Sequence, residues 1–336
     1  MILKKNNKTS VSVIGDGSWA TALVKIISEN DTKTHWWVRN KDRVKYIKSF
    51  GNNPHYLSSV QFVKRRVKPN TRLNRVVDAS KYIILAVPAA FIKDVLDQLP
   101  ENAFDDKIII SAVKGMIPSE NCLVTDYVQK RFNVSENRIA VICGPCHAEE
   151  VAMERQAYLT SASKSIKLAE EVADLFRGRY VKVTCLQDVV GVEYAAVMKN
   201  IIALAVGVSY GLGYGDNLLA VLISNSIKEI STFLSKLYPA DRDVLASAYL
   251  GDLLVTSYSQ FSRNRTFGTL IGRGYTVKSA MVEMKMVAEG YYATDSIHKV
   301  LGKNNLELPI INAVHNVLYG NISPHIEFQL LKQTLK

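Results

Sequence analysis

The chain reads as an α/β protein, with an N-terminal doubly wound Rossmann-type domain followed by an all-α C-terminal domain. Three observations predict this. A strand, a glycine turn and a helix open the chain at Val11–Ala22, VSVIGDGSWATA. Further apolar runs then alternate with helical segments as far as residue 188, the pattern of a parallel doubly wound sheet with helical crossovers. Beyond Asp188 apolar residues recur at helical spacing and strand-like runs almost disappear. One domain is therefore expected over 1–188 and a second over 189–336.

The opening stretch is the most informative. Val11, Val13 and Ile14 suit a buried strand, and Gly15-Asp16-Gly17-Ser18-Trp19-Ala20 is a G-x-G-x-x-A fingerprint. Gly15 permits the tight turn, Gly17 lets a pyrophosphate approach the backbone, and Ala20 still allows close helix–strand packing. The following helix offers free N–H groups and a positive dipole end to phosphates. Asp16 puts a carboxylate close to that path, so its side chain must point away or cap the helix. The second strand, Thr34–Arg39, ends in Arg39, where an NAD-specific site usually carries an acid for the ribose. An Arg there takes a 2′-phosphate and stacks on adenine. The expected cofactor is NAD or NADP, with NADP favoured.

Residues 41–75 read as loop-rich and basic, with Lys64, Arg65, Arg66, Lys68, Arg72 and Arg75 close together. This is a solvated face, or a contact for an acidic membrane surface or polyanion; no nucleic-acid motif accompanies it. Three continuous apolar runs follow, as buried parallel strands require. Tyr82–Val87 precedes Pro88, which opens a helix. Lys107–Val113 runs into Lys114-Gly115, and Arg138–Cys143 into Gly144-Pro145. Gly15, Arg39, Pro88, Lys114 and Gly144 thus share the carboxyl ends of strands, where ligands sit in such sheets. Strand-like pieces at Tyr158–Ser161 and Tyr180–Thr184 flank a helix at 165–176. Helical runs follow at 189–207, 217–237, 241–257, 289–302, 309–319 and 325–334.

Bulk properties set limits. At 336 residues with 48% hydrophobic and 22% charged residues, the chain can bury a large core in about two domains. The net charge of +11 suits anionic ligands. MILKKNNKTS lacks the apolar region of a signal peptide, and no uninterrupted apolar run of about 18 residues marks a membrane span. Four cysteines make no disulfide framework. A cytoplasmic enzyme is expected. Cys143-Gly-Pro-Cys146 has the form of a redox dithiol, but its first Cys ends an apolar strand rather than opening a helix. No region offers enough ligands for zinc, so no metal is expected.

In combination these blocks resemble one family, the NAD(P)-dependent glycerol-3-phosphate dehydrogenases of bacterial type. The resemblance runs through GDGSWATA, the Trp-Val-Arg ending at Arg39, Ala86-Val-Pro88 and SAVKG at Lys114-Gly115. It continues through Gly144-Pro145-Cys146-His147-Ala148-Glu149-Glu150, VMKNIIALAVGVSYGLGYGDN around Lys199, YLGDLLVTS around Asp252, FSRNRTFG around Arg263 and VAEGYYAT around Glu289. It implies reversible hydride transfer between glycerol 3-phosphate and dihydroxyacetone phosphate, in a family that supplies phospholipid synthesis and usually acts as a homodimer.

Carried over by position, the resemblance gives Lys199 as proton carrier, with Lys114 and Asp252 beside it. Gly15, Gly17, Ser18, Trp19, Arg39, Tyr56, Lys114, Ala148, Arg263, Val287 and Glu289 would face the cofactor. Lys114, Gly144, Cys146, Lys199, Asp252, Ser262, Arg263 and Asn264 would face the substrate. The chemistry agrees: an Arg fork suits a phosphate ester, a buried Lys can carry a proton, and a carboxylate in an apolar run needs a partner. Gly211, Gly213 and Gly215 read as turn glycines. Cys146, His147 and Glu149 depart from the family pattern, and two cysteines beside the substrate suggest thiol-sensitive activity. A related hydroxyacid-type dehydrogenase, or a dinucleotide-binding regulator without turnover, would share the layout.

Overall fold

The computed structural model describes residues 10–284 and 288–336. Residues 1–9 of the stretch read for a signal peptide, and Val287, lie outside the described residues.

The fingerprint forms as expected. β1 (Ser10–Ile14) leads into α1 (Ser18–Glu29), and β2 (Lys33–Trp37) pairs with β1 in parallel. The segment read as loop contains α2 (Lys41–Phe50), β3 (Val67–Asn70) and α3 (Leu73–Asp78). α2 escapes the periodicity test because only Val44 and Ile47 are buried on it, so its apolar stripe is two residues long. It is set by its ends instead: the Asn40 side chain accepts from the Arg43 N–H, and Gly51 turns the chain at φ 80°. β3 is an edge strand, which tolerates its Pro69.

β4 (Tyr82–Leu85), α4 (Ala89–Leu96) and β5 (Ile108–Ser111) follow, with Pro88 as N-cap of α4 rather than its first residue. A small hairpin, β6 (Met116–Ile117) and β7 (Cys122–Leu123), precedes α5 (Val124–Phe132) and β8 (Ile139–Cys143). Then come α6 (Ala148–Ala152), β9 (Ala157–Ala162), α7 (Ile166–Phe176) and β10 (Val181–Leu186). The main sheet has eight strands in the order β10-β9-β8-β5-β4-β1-β2-β3. It is mixed rather than wholly parallel, because β9 runs antiparallel to β8. The five residues of α6 span only about 7 Å. That is too short to return the chain to the far end of the sheet, so β9 re-enters from the carboxyl end of β8.

The rest is helical. α8 (Val189–Gly211) starts at Asp188, whose side chain accepts from the Gly191 N–H. It is the central core helix, buried almost throughout and packed against Met116, Leu123, Val141, Cys143 and Ala162 from the sheet half. α8 and α9 (Asp216–Leu237) are long and apolar enough to cross a membrane, but the apolar window of α8 is 94% buried inside the protein. α10 (Asp252–Tyr258) is shorter than the 241–257 expectation, and a π-helical turn at Ser247–Gly251 precedes it.

α11 (Arg263–Gly272) and α12 (Val277–Met284) did not show in the apolar spacing. α11 is mostly polar, buries Phe267 and Ile271 in the core, and crosses α8 through glycine. A Cβ on Gly268 would lie 2.2 Å from the Leu204 carbonyl oxygen, and one on Gly207 would lie 2.1 Å from that of Arg265. Gly211 belongs to this crossing and is not a turn residue; Gly213, at φ +85°, makes the turn. α13 (Glu289–Lys303), α14 (Pro309–Leu318) and α15 (Pro324–Thr334) complete the chain.

Candidate active site

At the fingerprint, Gly15 has φ +127°, and a Cβ there would meet the Ala86 carbonyl oxygen at 2.5 Å. Trp36 Nε1 donates to the Gly15 carbonyl at 2.6 Å and holds the turn. Gly17 is the N-cap of α1, with no side-chain cap, and a Cβ on it would find nothing within 4 Å. The helix end is therefore an open cradle lined by backbone, which fits a dinucleotide pyrophosphate. Asp16 does not cap the helix. Its Oδ2 accepts from Arg43 Nη1 at 2.6 Å, and the Arg43 guanidinium lies 5.5 Å from the Tyr56 ring centroid. Arg39, two residues past Trp37 at the end of β2, is exposed.

The second cluster gathers where α8, α10 and the β5 exit meet. Lys199 is buried on α8 and donates to Asp252 Oδ1, and to Thr256 Oγ1 at 3.0 Å. The π-turn sets Asp252 at the start of α10, and Gly251 packs toward Pro145. Asp252 Oδ2 is buried without a hydrogen-bond donor, and Lys114 Nζ stands 3.9 Å from it. Lys114 also lies 3.5 Å from the Gly144 carbonyl oxygen and 5.3 Å from the Trp19 ring centroid, while Asn200 Nδ2 donates to its carbonyl at 2.7 Å.

These neighbours separate the two lysines. Burial pulls Lys199 down to about 8; Asp252 opposes this and Lys114 adds to it. For Lys114 burial also pulls downward, but the Asp252 carboxylate opposes it and the amine is held above its ordinary value. One amine is thus poised near neutrality while the other stays a cation, the separation of titrations that acid–base work needs.

The start of α11 closes the cleft. Ser262 caps it, its Oγ accepting from the Arg265 N–H at 3.3 Å. Arg263 Nη2 donates to Ser18 Oγ at 3.2 Å, so the helical half reaches the dinucleotide cradle, and Glu149 lies 4.0 Å from the same guanidinium. Asn264 Oδ1 accepts from the Gly290 N–H at 2.9 Å, and Glu289 Oε1 accepts from the Ala89 N–H at 3.2 Å. Burial raises the Glu289 carboxyl. Ala148 is buried at the start of α6.

The structure therefore brings Ser18, Trp19, Lys114, Gly144, Lys199, Asp252, Ser262, Arg263, Asn264 and Glu289 into one linked region, with Arg39 and Tyr56 on the other side of the glycine turn. Arg43, Asn200 and Thr256 join this region without a sequence motif that marks them. Arg43 lay in the stretch read as loop; Thr256 sits one helical turn after Asp252, a spacing visible once α10 is known. Cys143 and Cys146 are free, and both are buried. Burial pushes each thiol up to about 12, so neither is poised as a thiolate and the expectation of thiol-sensitive activity loses its basis. His147 is pushed down to about 4 by burial and by Lys114 and Lys199. Among the described residues, no group of three or more His, Cys, Asp or Glu is placed to hold a metal ion.

A dinucleotide cradle at a strand–turn–helix, facing a buried lysine–carboxylate pair on a helical domain, defines an NAD(P)-dependent dehydrogenase. Two family profiles match the chain: the NAD-dependent glycerol-3-phosphate dehydrogenase N-terminus over residues 10–169 and its C-terminus over residues 188–329. The chain belongs to the NAD-dependent glycerol-3-phosphate dehydrogenase family. It is 32% identical over 324 residues to a glycerol-3-phosphate dehydrogenase [NAD(P)+] of Staphylococcus carnosus, covering 96% of this chain and 97% of that protein. Against the protein of the same name from Bacillus subtilis it is 34% identical, covering 92% and 90%. Among solved structures, glycerol-3-phosphate dehydrogenase from Coxiella burnetii superposes with a TM-score of 0.90 at 29% identity, covering 96% of this chain and 98% of that one.

Proposed function

We propose that this chain interconverts sn-glycerol 3-phosphate and dihydroxyacetone phosphate with NAD or NADP, and that it supplies glycerol 3-phosphate for phospholipid synthesis. The observation that carries the mechanism is the buried Lys199–Asp252 pair with the Lys114 cation 3.9 Å from Asp252. When bound, the nicotinamide supplies or accepts the hydride. In the reducing direction the Lys199 ammonium hydrogen-bonds the carbonyl oxygen and passes it a proton. In the oxidising direction the neutral Lys199 amine takes the hydroxyl proton. Lys114 stabilises negative charge developing on that oxygen. Asp252 orients both lysines, and its undonated Oδ2 accepts from a substrate hydroxyl.

Arg263 binds the ester phosphate, with Ser262, Asn264 and the loop at Gly144 and Cys146 completing the pocket. The Asn264 oxygen is already engaged by Gly290, so its amide nitrogen is the donor on offer. Gly15, Gly17, Ser18, Trp19, Ala148 and Glu289 hold the cofactor, with Lys114 and Arg263 at its substrate end. Arg39 and Tyr56 flank its adenosine end, and Arg39 favours NADP. Residues 1–188 and 189–336 form the cofactor and substrate domains. We further propose that the protein is cytoplasmic and homodimeric, touches acidic membrane only transiently, and binds no nucleic acid.

Oxidation of reduced cofactor with dihydroxyacetone phosphate, set against unphosphorylated dihydroxyacetone and a 2-keto acid, tests this reading. It predicts turnover with the phosphate ester at least about a hundredfold above the others, since an unpaired phosphate site forfeits charge-assisted bonds of about 1.5–3 kcal/mol each. Faster turnover of the keto acid would replace it with the related hydroxyacid chemistry, and cofactor binding without any oxidation would make the protein a regulator.

A further inference from the structure

At the open edge of the sheet, apart from the residues assigned to cofactor and substrate, lies a cavity of about 470 Å³ that gathers part of the basic stretch of residues 41–75. Lys48 of α2, Lys64, Lys68 of β3 and Arg75 of α3 line it, together with His35 of β2. No carboxylate lines it among the described residues. The nearby Asp31 is taken up by Arg66. Lys64 spends one bond on the Ser49 carbonyl oxygen at 2.7 Å. Four cations around one concavity repel each other, and without acids between them only an anion or solvent relieves this. The buried side chains of Ile47, Phe62, Val67 and Val76 also line it, with Asn70. A cavity of this size, lined by both apolar and charged groups, matches ordinary small-ligand sites.

We propose that this cavity is a second anion site, taking a phosphate-bearing ligand with a small apolar body. The ligand chemistry is a phosphate ester; it is presented either by a soluble molecule or by a phospholipid headgroup at a membrane surface. The site is independent of the dehydrogenase reading, and turnover serves only as a control for folding.

The test uses the full chain and a Lys68→Gln/Arg75→Gln double variant. Both side chains are exposed, so the fold and turnover should persist. One arm titrates inorganic pyrophosphate with the cofactor cleft saturated by NADPH, and follows the histidine resonances by NMR. His35 is held below its ordinary pKa by burial and by Lys33 and Lys68, so an anion in the cavity moves its midpoint upward. The other arm measures flotation with phosphatidylcholine vesicles containing phosphatidylglycerol. Saturable pyrophosphate binding that moves His35 and weakens about tenfold or more in the double variant supports a soluble ligand. Vesicle binding lost in the double variant supports a headgroup. Equal binding of parent and double variant to both probes, or binding of neither probe to the parent, overturns the proposal.

Discussion

Replacing Asp252 with Asn keeps the side chain's size and removes its charge. Lys199 then loses the only neighbour of first importance that favours its ammonium form, while burial and Lys114 continue to disfavour it. An opposite charge within hydrogen-bonding reach is worth about 1–3 pKa units. Lys199, at about 8 in the parent, should fall to about 5–7. Reduction requires the ammonium, so kcat/KM for dihydroxyacetone phosphate falls as pH rises through this value. In the parent the descending limb lies near 8; in Asp252→Asn it moves to about 5–7. A two-unit shift takes the protonated fraction at pH 7 from about nine-tenths to about one-tenth, roughly a tenfold loss that is recovered at lower pH. The assay is the pH profile of kcat/KM, which reports the free enzyme. A descending limb that stays near 8 in the variant, with only its height reduced, would refute Lys199 as the titrating proton carrier.

Three further outcomes are expected. Arg263→Ala should raise KM for dihydroxyacetone phosphate about 10- to 100-fold, with a smaller change for the cofactor, because the lost charge-assisted bonds are worth about 1.5–3 kcal/mol. Arg39→Asp should shift the ratio of kcat/KM for NADPH over NADH toward NADH by about tenfold or more; an unchanged ratio would remove Arg39 from the adenosine end. Glu193, buried on α8 and bonded by Thr125 and Ser111, is pushed up to about 8 by burial. The fold holds its proton above the pH at which the unfolded chain releases it, so stability declines as pH rises from about 4.5 to about 8. In Glu193→Gln the decline over that window should flatten, read from denaturant midpoints at several pH values.

What the sequence could say followed the strength of its local signals. β1, β4, β5 and β8 are buried except at the first residue of β1 and of β4, and they are mostly β-branched or apolar, so composition alone marks them. The fingerprint needs Gly15 for a backbone reason that no side chain can replace, while Gly17 leaves the helix end open, and the motif stands out for that. α2 and β3 are not marked by apolar spacing because each buries only two side chains, and α11 because only Phe267 and Ile271 form its apolar stripe while Gly268 and Gly272 make its close crossing with α8. The reversal at β9 is a matter of how long α6 is, which no periodicity reports.

The site was readable in part. Asp252 within an apolar run signals a buried partner, but pairing with Lys199 across 53 residues is set by the α8–α10 packing. The family motifs supplied the identities of Lys114, Lys199 and Arg263; the geometry adds the reason the two lysines titrate apart. Asp16, the residue of the opening turn that the motif does not explain, holds Arg43 of α2, an element that apolar spacing does not mark.

The central claim is that Lys199 carries the proton for hydride exchange on a phosphorylated three-carbon substrate. Lys199→Met keeps the buried volume close to that of the parent and removes the amine. Its measurement is paired: NADPH binding by fluorescence, and oxidation of NADPH by dihydroxyacetone phosphate on the same preparation. The account predicts a dissociation constant for NADPH within a few-fold of the parent and turnover reduced by about 100-fold or more, the scale of a lost general acid. Turnover close to the parent's with binding intact would contradict it.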